Sequence, residues 1–303
     1  MSVRITDGMM SRRLVADLRN TTSRVADAHE QVSTGKRLVR PSIDPIDSMR
    51  AVRLRADAAE AKQHQRNIDQ ARAWLDVTDQ ALSSVNDAIH RVRELTVKAG
   101  NGIYPLVDRE AMATEIDQLV GLVKQAANAS YNGAYVFAGQ ATTSVPYNAN
   151  PANPDTYAGD GGPIVRTIGP GVAVQVNVPG GALFGNGTDG RLLNVLRDIS
   201  AHLRSTVPAD VEALRSTDLV ALDRRLDDLL EVRTTVGAVS ERLESAKGRL
   251  QDVEDAANRF RSEAEDADMA QAIMDLTNHQ SVYQAALRSG AQIIQPSLMD
   301  FLR

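Results

Sequence analysis

The chain has 303 residues, a formal net charge of −5 and no cysteine. That length can bury a sizeable core. The lack of cysteine excludes disulfides and thiolate-held metals, and so mild a charge argues against nucleic acid or an acidic membrane as partner.

Apolar residues make up 43% of the chain but aromatics only 4%. The apolar mass is therefore Ala, Val, Leu and Ile, which suits thin helical bundles. No run reaches the roughly eighteen apolar residues of a spanning helix. The opening MSVRITDGMMSRRLVADLRN has no apolar h-region and no small-residue cleavage site, so no cleaved signal peptide is expected. Charge is uneven along the chain. Residues 1–66 carry 13 Lys/Arg against 8 Asp/Glu, and residues 241–303 carry 7 against 11. Ends of opposite sign, both heptad-patterned, can pair with each other.

The first expected helix covers residues 5–34. Leu14, Leu18, Thr21, Val25, Ala28 and Val32 step four, three, four, three, four, and Gly35 is placed to stop it. A single seam on an isolated helix is marginal in water, so this helix needs a partner. STGKRLVRPSIDP at 33–45 then breaks the helix with a glycine and two prolines. Arg40, Pro41, Asp44 and Pro45 read as an ordered turn, with Asp44 capping the next helix and Pro45 at its first position.

That helix is expected from about Pro45 to Ala99. Its second half has three apolar columns: Trp74, Ala81, Ala88 and Leu95; Thr78, Val85, Val92 and Ala99; Leu75, Leu82 and Ile89. So wide a face means burial in a bundle. A third helix follows from about Val107 to Ser130, with Ile116, Leu119, Val120, Val123 and Ala127 inward. YNGAYVFAG at 131–139 then brings strand formers and turn glycines. VRTIGPGVAVQV at 165–176 reads as a hairpin around Gly169-Pro170-Gly171, and VPGGALFGNG as loop. Helix resumes near Thr188 or Asp189, breaks at TVPAD, and restarts from Val211.

The carboxyl tract from Leu222 to Ile294 holds two heptad patterns out of phase. Leu222, Leu229, Val236, Leu243, Leu250 and Ala257 form one column, joined by Val232, Val239, Ala246, Val253 and Phe260. The second pattern is Met269, Ile273, Leu276, Gln280, Tyr283, Leu287, Gly290 and Ile294. The register must change in the polar RSEAEDAD at 261–268, which reads as a hinge or phase shift between two packing environments.

The expected fold is mainly α: a long coiled-coil-like helical bundle formed by both chain halves, with a small β-rich domain inserted in the middle. Residues 1–44 and 262–303 are terminal helices, 45–139 and 190–261 the bundle, and 140–189 the insertion. The assembly seam is Leu14, Leu18, Val25, Val32, Met269, Ile273, Leu276, Tyr283, Leu287 and Ile294.

No constellation of residues points to catalysis, to a cofactor or to a metal. STGK lacks the first glycine of a phosphate loop and follows a helix. His29, His64, His90, His202 and His279 show no metal spacing. Asp266 and Asp268 read as part of a solvated hinge. Asp155 and Asp160 read as turn residues rather than calcium ligands.

Three stretches carry a family resemblance: RITDGMM at 4–10, STGKRLVRPSIDP at 33–45, and DADMAQAIMDLTNHQSVYQAALRSGAQIIQPSLMDFLR at 266–303. The chain resembles the bacterial flagellar axial proteins of the flagellin superfamily, and within them the type 3 hook-associated proteins of the hook–filament junction. It departs from the pattern at Ile43, where an acidic residue is expected. The resemblance covers about 1–135 and 190–303. It implies a structural, non-enzymatic subunit that joins hook to filament, with no cofactor. The implied partners are copies of itself in a ring, a neighbouring hook-associated protein on the hook side, flagellin on the filament side and a cytoplasmic export chaperone. It also implies secretion through the flagellar export apparatus, without a cleaved signal, to an extracellular site. A filament flagellin with a short insertion is the alternative.

Overall fold

The computed structural model describes residues 7–101, 104–148 and 154–301, with side chains described from 9 to 291 apart from Ser11. In chain order the elements are α1 (Asp7–Thr34), α2 (Pro45–Gly100), α3 (Leu106–Ala127), β1 (Ser130–Tyr131), β2 (Ala134–Tyr135), β3 (Val165–Gly169), β4 (Val172–Gln175), α4 (Gly180–Leu183), α5 (Leu192–Arg204), α6 (Pro208–Arg215), α7 (Thr217–Glu265) and α8 (Met269–Phe301). The mainly helical fold with a small strand-bearing insertion is as the periodicity requires. One turn of helix, α4, stands where only loop was expected. The chain divides into two compact units: residues 61–251, and residues 1–60 with 252–303.

Within the unit at 61–251, all three expected columns of α2 are buried, from Trp74 to Ala99. Ile116, Val120, Val123 and Ala127 of α3 are buried with them, and α5 adds Leu192, Leu193, Leu196, Ile199 and Leu203. α7 runs antiparallel to α2. Ion pairs stitch the two along their length: Arg93 to Asp223 at 2.8 Å, Arg233 to Asp79 at 2.9 Å and Lys247 to Asp69 at 2.7 Å, with Arg72 bonded to Glu244. Under that rim, Leu222, Leu229, Val236 and Leu243 are buried every seventh residue, as a heptad column demands.

The insertion packs into this same core. Asn132 (φ 51°) and Gly133 (φ 78°) form the two-residue turn between β1 and β2, the positive-φ pair that matches the twist of paired strands. β3 and β4 pair antiparallel, Val165 opposite Gln175, with an irregularity at Gly169. Tyr147, Phe137 and Phe184 are fully buried, with edge-on ring contacts at 5.2 Å (Phe137–Phe184) and 6.0 Å (Tyr147–Phe184), a geometry that adds to area burial. The Tyr147 hydroxyl donates to the Gly185 carbonyl at 2.8 Å.

A buried ion cluster ties the insertion down. Lys124 Nζ lies 2.7 Å from Asp155 Oδ1, and Arg197 Nε lies 2.9 Å from Asp155 Oδ2. The Lys124 side chain is 0% exposed and that of Asp155 6%. Burial alone would push the Asp155 carboxyl up, but the bonds from Arg197 and then Lys124 outweigh it and hold it below its ordinary value. Asp160 acts within its own loop, where its Oδ1 accepts from the backbone N–H groups of Gln140 at 2.6 Å and Gly162 at 3.0 Å. Among the described residues no helix is long and apolar enough to cross a membrane.

Candidate assembly interface

The unit at 1–60 and 252–303 is built on an antiparallel pair, α1 with α8. At one end a backbone bridge joins Lys36 to Asp266. Farther along, a Cβ placed on Gly290 would stand 3.0 Å from Leu14 Cδ2. Gly290 is therefore small because the helices approach closely there. Along α1, Leu14, Leu18, Thr21, Val25 and Val32 are half-buried and Ala28 is buried, the column that the sequence marks.

The matching face of α8 is different from the expected one. Its covered column is Ala272, Leu276, His279, Tyr283, Ala286 and Gly290, with Asp275 half-buried beside it. Leu276 and Tyr283 of the expected seam lie on that face, half-buried. Met269, Ile273 and Leu287 are exposed beside it. Ile294 lies outside the described side chains. The apolar surface of α8 is thus wider than one partner helix covers. Half of this column is small (Ala272, Ala286 and Gly290), and most of the large aliphatic residues of α8 remain open. α1 likewise keeps Met9, Met10 and Val15 exposed.

In the heptad columns of α7, Ala257 and Ala264 remain buried beyond residue 252, while Val253 and Phe260 are exposed. The second column therefore does not reach its partner to the end. The helix itself runs to Glu265, and the break is confined to Asp266–Asp268. Asp268 caps α8: its Oδ1 accepts from the N–H groups of Ala270 at 2.9 Å and Gln271 at 3.2 Å. The segment that reads as hinge is an ordered joint.

Its partner is the turn after α1. Gly35 (φ 67°) closes α1, its N–H bonded to the Gln31 carbonyl at 2.8 Å. Arg37 N–H then donates to the Glu265 carbonyl at 2.7 Å, and Ala267 N–H to the Gly35 carbonyl at 2.9 Å. The Arg37 guanidinium reaches the Ala264 carbonyl at 2.8 Å and Asp47 at 2.7 Å. Arg40 pairs with Glu30 at 2.8 Å and Asp27 at 3.7 Å. Pro41 is exposed. Asp44 Oδ1 accepts from the N–H groups of Ile46 and Asp47, both at 3.1 Å, and Pro45 opens α2.

Glu265 sits at the centre, its side chain 3% exposed, with Lys36 at 2.8 Å on one oxygen and Arg55 at 2.5 Å on the other. Burial pushes this carboxyl up, but the bonds from Lys36 and Arg55 outweigh it and hold it below its ordinary 4.5. One carboxylate thus ties together the turn after α1, the first turns of α2 and the end of α7. Sequence reading missed it, because its partner Lys36 is 229 positions away and neither residue sits in a periodic pattern.

A pH dependence follows with a definite sign. A depressed carboxyl stabilises the fold above its unfolded value, and that stabilisation is lost as pH falls through the lower folded value. Glu265→Gln is expected to cost about 1–2 kcal/mol at neutral pH, because the remaining cations are partly exposed. It also removes the pH dependence below 4.5. Hydrogen exchange at the Arg37 and Ala267 amides, followed from pH 7 downward in both proteins, measures it; equal protection in the two would refute the role.

Comparison with known proteins bears on this geometry. The model of the bacterial flagellin N-terminal helical region matches residues 5–142, and that of the bacterial flagellin C-terminal helical region matches residues 219–302. The chain is 27% identical to flagellar hook-associated protein 3 of Escherichia coli (strain K12), over 95% of this chain and 96% of that protein. It is 25% identical to flagellin FlaB2 of Treponema pallidum (strain Nichols), over 90% of this chain and 91% of that one. The crystal structure of the flagellar junction protein FlgL from Legionella pneumophila superposes with a TM-score of 0.60 at 16% identity, covering 72% of this chain and all of that one. This last likeness is one of fold.

Proposed function

The chain belongs to the bacterial flagellin family, and from that premise we propose that it is the adaptor subunit between hook and filament, working by helix packing between subunits and not by chemistry. The observation that carries the proposal is the α1–α8 pair. After pairing inside one chain it still exposes Met269, Ile273 and Leu287 on one side and Met9, Met10 and Val15 on the other helix. A soluble monomer has no use for such a surface, and neighbours would bury it. Residues 1–44 and 262–303 do the assembling in this reading, and 45–139 with 190–261 support them.

The partners follow from the role. Copies of the same chain form a ring, a hook-associated protein meets it on the hook side, and flagellin meets it on the filament side. An export chaperone holds it in the cytoplasm before secretion without a cleaved signal. The seam is Leu14, Leu18, Val25 and Val32 on α1 with Leu276 and Tyr283 on α8, extended by Met269, Ile273 and Leu287 toward neighbours. The near-complete coverage of hook-associated protein 3 favours the adaptor over a filament subunit, although flagellin FlaB2 matches almost as fully.

Labelling decides between the two. A strain lacking this gene is expected to keep its hooks, secrete unanchored flagellin and regain motility with the tagged gene. The tag should mark a single band between hook and filament. A tag distributed along the filament would make the protein a flagellin.

A further inference from the structure

The most exposed large apolar side chains of the described residues lie outside the α1–α8 pair. Ile46 is 75% exposed and Met49 69%, with Val52 beside them, all in the first turns of α2. Positions 46, 49, 50 and 53 share one helix face at i, i+3, i+4 and i+7, so Arg50 and Arg53 border this patch. Among the described residues neither arginine has a carboxylate partner, whereas the next one, Arg55, is held by Glu265. Among the described residues nothing packs over this face.

The same unit carries a second patch of opposite character. Met269 and Ile273 are exposed at the start of α8. Asp266 and Asp268 precede them and Glu263 stands one turn earlier, all three exposed. From Ser262 to Leu287 the chain has no lysine or arginine, and of its five carboxylates only Glu265 is buried against Lys36 and Arg55. One patch is apolar with a basic border, the other apolar with an acidic border.

We infer that the Ile46–Met49–Val52 face of one copy docks on the Met269–Ile273 face of the next. The inference rests on the assembly reading above and names the two surfaces that meet. Opposite borders set orientation and register, and like patches repel. Because the two patches differ, the contact is heterologous. After one such contact each copy keeps its other patch free for a further neighbour, and the chain of contacts closes into a ring if its rotation permits.

The absence of native cysteine makes the test direct. Met49→Cys and Ile273→Cys are introduced singly in the tagged gene, expressed alone and together in the deletion strain, and the flagella are isolated and oxidised. A disulfide forms only when the two Cα atoms come within about 4.4–6.8 Å. The expected result is a cross-linked dimer from co-expressing cells that is lost when either variant is expressed alone. Arg50→Glu with Arg53→Glu on the Met49→Cys chain should abolish the band. Normal incorporation of both variants with no mixed dimer, or dimers of Met49→Cys with itself, overturns the inference while leaving the adaptor role intact. A tag found away from the junction fells the adaptor role instead. If Met49→Cys is not incorporated, Ile46→Cys takes its place.

Discussion

Asp155→Ala is expected to lower the stability of the unit at 61–251 by about 3–5 kcal/mol, the cost of removing one partner from a buried ion cluster. The reason is the asymmetry of exposure. The Lys124 side chain is fully buried, and the carboxylate removed lies 2.7 Å from its Nζ. Arg197 has a second partner in Asp117 at 3.5 Å and is partly exposed, so it loses less. For a unit of this size the loss corresponds to roughly 10 °C in Tm, read by thermal unfolding of the full chain. The double substitution Lys124→Met with Asp155→Leu removes the charge together with its counter-charge. It is expected to recover most of the loss, since apolar replacements of buried ion pairs are often neutral or better. A single Asp155→Ala protein that melts with the wild type would mean that the segment after residue 154 is held by its aromatic packing alone.

The helices were legible because burial in them is periodic. Leu222 through Leu243, and Trp74 through Ala99, recur at steps of seven and are large enough for a hydrophobic pattern to stand out. The face of α8 was legible only in part. Its covered column is Ala272, Leu276, His279, Tyr283, Ala286 and Gly290, and four of those six side chains carry a weak hydrophobic signal or none. Close helix approach selects small residues, so the contact face looks less hydrophobic than the open one. The strongest apolar column, Met269, Ile273 and Leu287, consequently marked the surface left over. The polar joint escaped for another reason. Lys36 and Glu265 meet across almost the whole chain, as Lys124 and Asp155 meet across the insertion, and charge pairing over such separations has no local signature. Asp44 and Pro45, by contrast, were legible because a helix cap acts within three residues.

Leu287→Asp is expected to abolish incorporation into the flagellum and with it motility, while shifting the melting of the isolated subunit by no more than about 0.5 kcal/mol, the range of surface substitutions. Leu287 is 44% exposed in the single chain, so a carboxylate there stays hydrated and costs the monomer little. In an assembly that buries this column the same carboxylate loses its water without gaining a partner, a cost of several kcal/mol at each repeated contact. Leu276→Asp separates the two effects. Leu276 is already half-buried under α1, so its substitution should block incorporation and also loosen the α1–α8 pair, visible as faster hydrogen exchange along both helices. Tagged protein in isolated flagella and unfolding curves of purified subunit measure the two quantities independently. Normal incorporation of Leu287→Asp would place the neighbouring subunit on another face of α8. A large loss of monomer stability would mean instead that the column is already covered within one chain.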